Sequence, residues 1–186
     1  MEIVLGRHGR PVLDQSKWIA PRGLSQWIAA FNDGGILRGQ IPQATSLAAA
    51  RCKVIVSSPL RRSYHSAQLI ASSQLLVTED LISEAGMPHT NWLFPALPIT
   101  VWLAIFRVAW YCGYSRNAES MSDASMRAAV AADRLVELAR QHDSVFVVGH
   151  GIMTTLIANR LVKMGWSGSR RPANRYWGHC VYRSPT

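Results

Sequence analysis

Three short apolar runs, far apart in the chain, each break off at a small residue and lead within a few residues to histidine or arginine. Glu2–Leu5 stops at Gly6 before Arg7-His8-Gly9. Lys53–Val56 runs into Ser57-Ser58-Pro59-Leu60-Arg61-Arg62, and Ser144–Val148 runs into Gly149-His150-Gly151. Runs this short, two of them rich in β-branched residues, read as buried strands rather than helices. A further strand is expected within Leu75–Ile82, with Glu84 just after it.

Helical patterns fill the intervals. After Pro21-Arg22-Gly23, residues Leu24, Trp27, Ile28 and Phe31 stand at i, i+3, i+4 and i+7, one apolar face that Asn32-Asp33-Gly34-Gly35 ends. Further helices are expected over Pro42–Arg51, Leu60–Gln74, Ser120–Gln141 and Ile152–Met164. A last strand over Tyr176–Tyr182 would lie at a sheet edge. Strands alternating with helices imply an α/β three-layer sandwich, a mostly parallel central sheet with helices on both faces. The stretch Ser83–Asn117 breaks the alternation. It carries Pro88, Pro95, Pro98, Trp92, Trp102 and Trp110, and reads as a small inserted cap with a short helix near Val101–Tyr111. The whole, residues 1–186, reads as one domain. Its length suffices to bury roughly 70% of the unfolded surface, so no disulfide or metal is needed for stability.

Composition narrows the setting. Cys52, Cys112 and Cys180 are odd in number and lack CxxC spacing, which argues against a zinc site and for reduced thiols. No basic stretch followed by a long apolar run opens the chain, and the apolar stretch at Val101–Tyr111 is too short to span a bilayer. A cytoplasmic protein is expected, with no membrane partner. The formal net charge is +9, and no acidic residue follows Asp143. Such a charge attracts nucleic acid or small anions alike, or merely solvates a basic face. No nucleic-acid-binding motif accompanies it, so a phosphorylated small molecule is preferred over nucleic acid as the partner.

In open parallel sheets, ligands bind beyond the carboxyl ends of the strands. All the polar segments named above fall there, so they should meet at one edge. An unprotonated imidazole can attack phosphorus, and a neighbouring arginine presents paired donors to phosphate oxygens. Hydroxyls and arginines where a strand turns into a helix suit an anion; a capping serine and a solvated basic turn would leave the same trace. A histidine between glycines is poorly explained by packing, though a histidine bonded within the core is the alternative.

Taken together, strand-Arg-His-Gly, Ser-x-Leu-x-Arg before a helix and a late strand ending in His-Gly resemble the histidine phosphatase superfamily, which includes the cofactor-dependent phosphoglycerate mutases. The resemblance covers nearly the whole chain. It implies that His8 is the nucleophile that becomes phosphorylated, that Arg7 and Arg62 bind phosphate, and that His150 is the second histidine of the phosphate pocket. Arg62 is preferred over Arg61 because it lies two residues after Leu60. Ser57 joins the substrate-binding set. Ile82-Ser83-Glu84 resembles the family's Leu-x-Glu segment and implies Glu84 as general acid and base; Glu119-Ser120 resembles its Glu-Ser pair. The chain departs from the pattern in Arg10-Pro11 after the first motif and in Ala85-Gly86-Met87-Pro88 after Glu84. The expected activity is a metal-independent phosphoric monoester hydrolase with no cofactor. A mutase-like phosphotransferase and a catalytically weak phosphate-binding module are the alternatives. Trp92, Phe94, Trp102 and Trp110 are candidates for apolar walls in the cap, some of them for core. Trp166 and Trp177 fit internal packing or a dimer interface.

Overall fold

A computed structural model describes residues 1–14 and 16–185. Strands β1 (Glu2–Arg7), β3 (Val54–Ser57), β4 (Leu75–Thr78), β6 (Ser144–Gly149) and β7 (His179–Arg183) form one sheet in the order β4-β3-β6-β1-β7. The first four are mutually parallel, and β7 closes one edge antiparallel to β1.

Two buried clusters account for the layers. Side chains alternate across a strand. Ile3, Leu5, Val54, Val56, Val145 and Val147 therefore share one face, packed by α5 (Met121–His142) and α6 (Gly151–Lys163). Val4, Ile55, Phe146 and Val148 share the other, packed by α2 (Gln43–Ala50) and α3 (Arg61–Ile70). Burying each such side chain is worth about 1.5–3 kcal/mol. The strands are apolar on both faces because both are covered, as parallel sheets require.

The remaining elements form smaller packing units at the carboxyl edge. Helix α1 (Leu24–Asp33) contributes Leu24 to a cluster with Trp102 and Phe106 of α4 (Ile99–Tyr111). Trp110 of α4 packs on Ala85 and Ala124 and donates its indole N–H to Glu119 O at 2.8 Å. A two-stranded ribbon, β2 (Trp18–Ile19) with β5 (Leu97–Pro98), ties this region to the N-terminal segment.

Several expected boundaries shift for local reasons. Helix α3 stops at Ile70 rather than near Gln74, since Ser72 and Ser73 give their backbone N–H groups to the Gln74 side chain instead of to the helix. The third strand ends at Thr78, and Asp80–Ile82 is a 3-10 turn that Glu79 caps through Leu81 N–H. The last strand starts at His179, because Trp177 has φ 62° and Gly178 turns back to Arg175. The ribbon has no sequence signal, being only two residues per strand.

Candidate functional site

Strand register brings the polar segments level. Arg7 pairs with Gly149, Val148 with Ser57, and Ser57 with Thr78, so β1, β6, β3 and β4 end in step. His8, Ser58 and His150 are therefore neighbours although 92 residues separate the last two. Gly9 lets Trp177 pack closely against this strand end: a Cβ there would lie 2.6 Å from the Trp177 ring.

The second segment stitches the other two together. Ser66 Oγ accepts the Gly9 N–H at 2.9 Å, Ser63 Oγ donates to Val148 O at 2.6 Å, and Ser58 Oγ lies 2.6 Å from His150 Nε2. None of these serines caps α3, whose N-cap is Leu60 with no side-chain cap bond. The arginines separate sharply. Arg61 is exposed and pairs with Asp33, while Arg62 is 1% exposed.

His8 is 2% exposed, and its Nδ1 lies 2.7 Å from Gly9 O. Only an N–H can be shared with a carbonyl, so Nδ1 carries the proton and Nε2 the lone pair. Burial, opposed by the Gly9 bond and reinforced by Arg62 and Arg7, pushes the imidazole pKa down to about 3. It is neutral at ordinary pH, with the Nε2 lone pair free. The His150 ring centroid is 5.1 Å away, and burial first, then His8 and the nearby arginines, holds that imidazole well below its usual range.

Each arginine is fixed from behind. Arg7 donates through Nη1 to the backbone and side-chain oxygens of Asn174, and its guanidinium lies 4.6 Å from the Tyr176 ring centroid. Arg62 donates through Nη1 to Phe31 O and Asn32 Oδ1 at 3.0 and 3.1 Å, and lies 4.4 Å from the Phe31 ring centroid. Burial lowers the Arg62 pKa to about 10, with the Glu84 charge opposing, so it stays cationic at neutral pH.

Glu84 stands at the start of α6. Its Oε1 accepts N–H from Ala85 at 3.0 Å and Met153 at 3.1 Å, and its Oε2 from Ile152 at 3.5 Å. A carboxylate suits the positive end of a helix. The approach to Glu84 is clamped by Arg127, which donates to Leu81 O and Ser83 O at 2.8 Å and pairs with Glu119. Glu119 in turn accepts the Gly86 N–H, and Ser120 caps α5 in a reciprocal box with Asp123.

Arg7, His8, Arg62 and Glu84 line one cavity of about 340 Å³. His150 abuts it through His8. Ser57 is fully buried and does not line it; Ser58 makes the contact to His150 instead. The apolar wall differs from expectation only in part, since some of the four aromatics were expected to be core. Trp102 and Trp110 are core, while Trp92 and Phe94 are 60% and 79% exposed, and none of the four lines the cavity. Trp27, Ile28, Phe31, Met87 and Leu103 do. Sequence reasoning also missed Asn32, Arg107, Asn174 and Tyr176. Only tertiary contact reveals the last two, and nothing in their local pattern marks them.

Four buried side-chain nitrogen and oxygen atoms lack a hydrogen-bond partner among the described residues: Arg7 Nε, Ser57 Oγ, Arg62 Nε and His150 Nδ1. All four belong to residues singled out from the sequence. Leaving a buried polar group unpaired costs about 1–3 kcal/mol, so the cluster is poorly satisfied by the protein alone. Among the described residues no group of three His, Cys, Asp or Glu side chains is placed to hold a metal, and no helix is long and apolar enough to cross a membrane.

Comparison with known proteins agrees with this architecture. No curated protein matches the chain. Among solved structures, an open reading frame from Mycobacterium tuberculosis is similar at 17% identity over 97% of this chain and 89% of that one, with TM-score 0.63. A phosphoglycerate mutase from Bacillus anthracis is similar at 18% identity over 98% and 88%, with TM-score 0.61. A mycobacterial glucosyl-3-phosphoglycerate phosphatase is similar at 20% identity over 87% and 79%, with TM-score 0.58. The family model of the histidine phosphatase superfamily (branch 1) matches residues 40–183, so Arg7 and His8 lie outside the matched span and rest on the geometry above. Over most of its length, then, the chain carries that family's pattern on that family's fold, and it belongs to the histidine phosphatase superfamily.

Proposed function

We propose that the protein is a phosphoric monoester hydrolase working through a phosphohistidine on His8, with arginines rather than a metal supplying positive charge. The observation that carries this reading is the set of unsatisfied buried nitrogens on Arg7, Arg62 and His150 around a neutral, buried His8. A phosphate group offers acceptors to such donors and charge to both guanidiniums.

His8 Nε2 attacks phosphorus, and the bond to the ester oxygen breaks with its electron pair on that oxygen. Glu84, acting as general acid, gives the departing alcohol its proton. Water then attacks the phosphohistidine, the P–N bond returns its pair to Nε2, and Glu84 takes the proton from water. Glu84 is thus restored, and the net reaction is ester plus water to alcohol plus phosphate. The Gly9 carbonyl, by holding Nδ1–H, leaves Nε2 as the nitrogen that attacks and that regains its lone pair on hydrolysis. Catalysis rests on positioning and on fixed positive charge.

The test is hydrolysis of p-nitrophenyl phosphate in the presence of chelator, beside His8→Ala. Chelator-resistant release is expected, with inorganic phosphate appearing in step with phenolate, and loss on the order of 10⁴-fold or more in the variant. Activity retained by a folded His8→Ala protein would refute the mechanism.

A further inference from the structure

Beyond its phosphate end, the cavity has a consistent chemical character. Trp27, Ile28 and Phe31 of α1 face Leu103 of α4 and Met87 of the loop after Glu84. The Trp27 and Phe31 rings are stacked, with centroids 5.0 Å apart at 16°. Phe31 also lies beneath the Arg62 guanidinium, so the aromatic wall begins where the phosphate end stops.

Few polar side chains stand among these walls: Asn32, Ser83, Arg107 and Tyr176. Asn32 Oδ1 accepts from Arg62, and the Tyr176 ring lies against Arg7. Arg107 is the one cation of this outer part. It donates to Ala85 O and Gly86 O at 3.2 and 3.4 Å and lies 4.8 Å from the Trp110 ring centroid. A sugar or polyol would lose water and find few groups to replace it, which is costly. An apolar group would find the mostly hydrophobic lining that small-molecule sites provide.

We infer that the leaving group is apolar, a small aryl or arylalkyl alcohol, and that Trp27, Ile28, Phe31, Met87 and Leu103 select it. This rests on the phosphatase reading for the phosphate end but is tested by binding, which needs no turnover. The experiment is calorimetric titration of the whole chain with three probes: benzylphosphonate, 3-phosphonopropionate and inorganic phosphate. Benzylphosphonate should bind at least tenfold more tightly than either of the others. In Trp27→Ala, and separately in Leu103→Gln in case the first variant folds poorly, its advantage should fall below threefold. Equal or tighter binding of 3-phosphonopropionate would overturn the inference and make Arg107 a second anion contact. An advantage for benzylphosphonate that survives both variants would overturn it too. Hydrolysis of p-nitrophenyl phosphate, run in parallel, reports on turnover, which the binding titration does not need. A protein that binds benzylphosphonate preferentially yet turns nothing over would keep this inference and lose the mechanism.

Discussion

The strand-end half of the cavity and the half supplied by α1, α4 and the Glu84 loop are built by different means. At the strand ends, His8, Arg62 and His150 are all at most 2% exposed, and serines of the second segment bond the neighbouring backbone or His150 itself. In the other half the lining is half-buried helix surface, held by two small clusters around Trp102 and Trp110. On the proposed reading the contrast separates two tasks. A reacting centre gains from groups fixed before substrate arrives. A surface that selects a leaving group needs only shape and hydrophobicity, and can tolerate change at about 1–3 kcal/mol per methylene-sized alteration.

The largest effect after that of His8→Ala should come from Arg62→Lys. Lysine keeps the charge but loses the planar fork, which here meets Phe31 O and Asn32 while stacking on Phe31. Steady-state kinetics with p-nitrophenyl phosphate should show kcat/KM lower by about 10²–10³-fold, the scale of removing one fixed transition-state donor. A loss below threefold would mean that charge alone suffices there. The strand-end half would then be less exactingly built than the contrast requires.

Acid stability is a second way to break the comparison. The folded His8 pKa is lowered from 6.5 to about 3, and that of His150 is lowered as well, both chiefly by burial. Below pH 6.5 the unfolded chain takes up protons that the native histidines refuse. Stability is therefore whole above the unfolded value and is lost as pH falls toward about 3. Each such group contributes a slope of up to about 1.4 kcal/mol per pH unit. Urea unfolding between pH 6.5 and 5 should show this loss, and His8→Asn should flatten it by up to one proton's worth. Equal slopes in the two proteins would show that the His8 site is wetter than its burial implies.

The same contrast governs what the sequence made legible. The strand ends were readable because short apolar runs stopping at glycine or serine carry both topology and chemistry. Parallel register then brings Arg7, Ser57 and Gly149 level without further information. Arg62 was separable from Arg61 only through the family resemblance, whose arginine lies two residues after the leucine, and burial follows the same division. The clamps on the arginines were not readable. Asn174 and Tyr176 meet Arg7 across more than 160 residues, with no periodic trace. The apolar face of α1 illustrates a subtler limit. Leu24, Trp27, Ile28 and Phe31 follow one helical period, yet Leu24 is core while the other three line the cavity. A core face and a cavity face have the same 3.6-residue repeat, so periodicity finds the face and not its partner. The aromatic content of Ser83–Asn117 misled in the opposite way, since composition carries no direction.

The smallest expected effect tests that last point. Phe94 is 79% exposed and lies outside the cavity lining, although its place in an aromatic-rich segment made it a candidate wall. Phe94→Ala removes a ring that shields little and supports nothing in the strand-end half. Its unfolding free energy should stay within ~0.5 kcal/mol of the parent, as for surface changes generally. Its kcat/KM for p-nitrophenyl phosphate should stay within twofold. A selective rise in KM with stability unchanged would mean that the loop around Phe94 folds over the cavity when substrate binds. The leaving-group wall would then extend from α1 into the segment that the resting structure leaves in solvent. An unchanged KM would confine selection to the half-buried faces of α1 and α4, where residues other than the aromatics of this loop decide which ester is accepted.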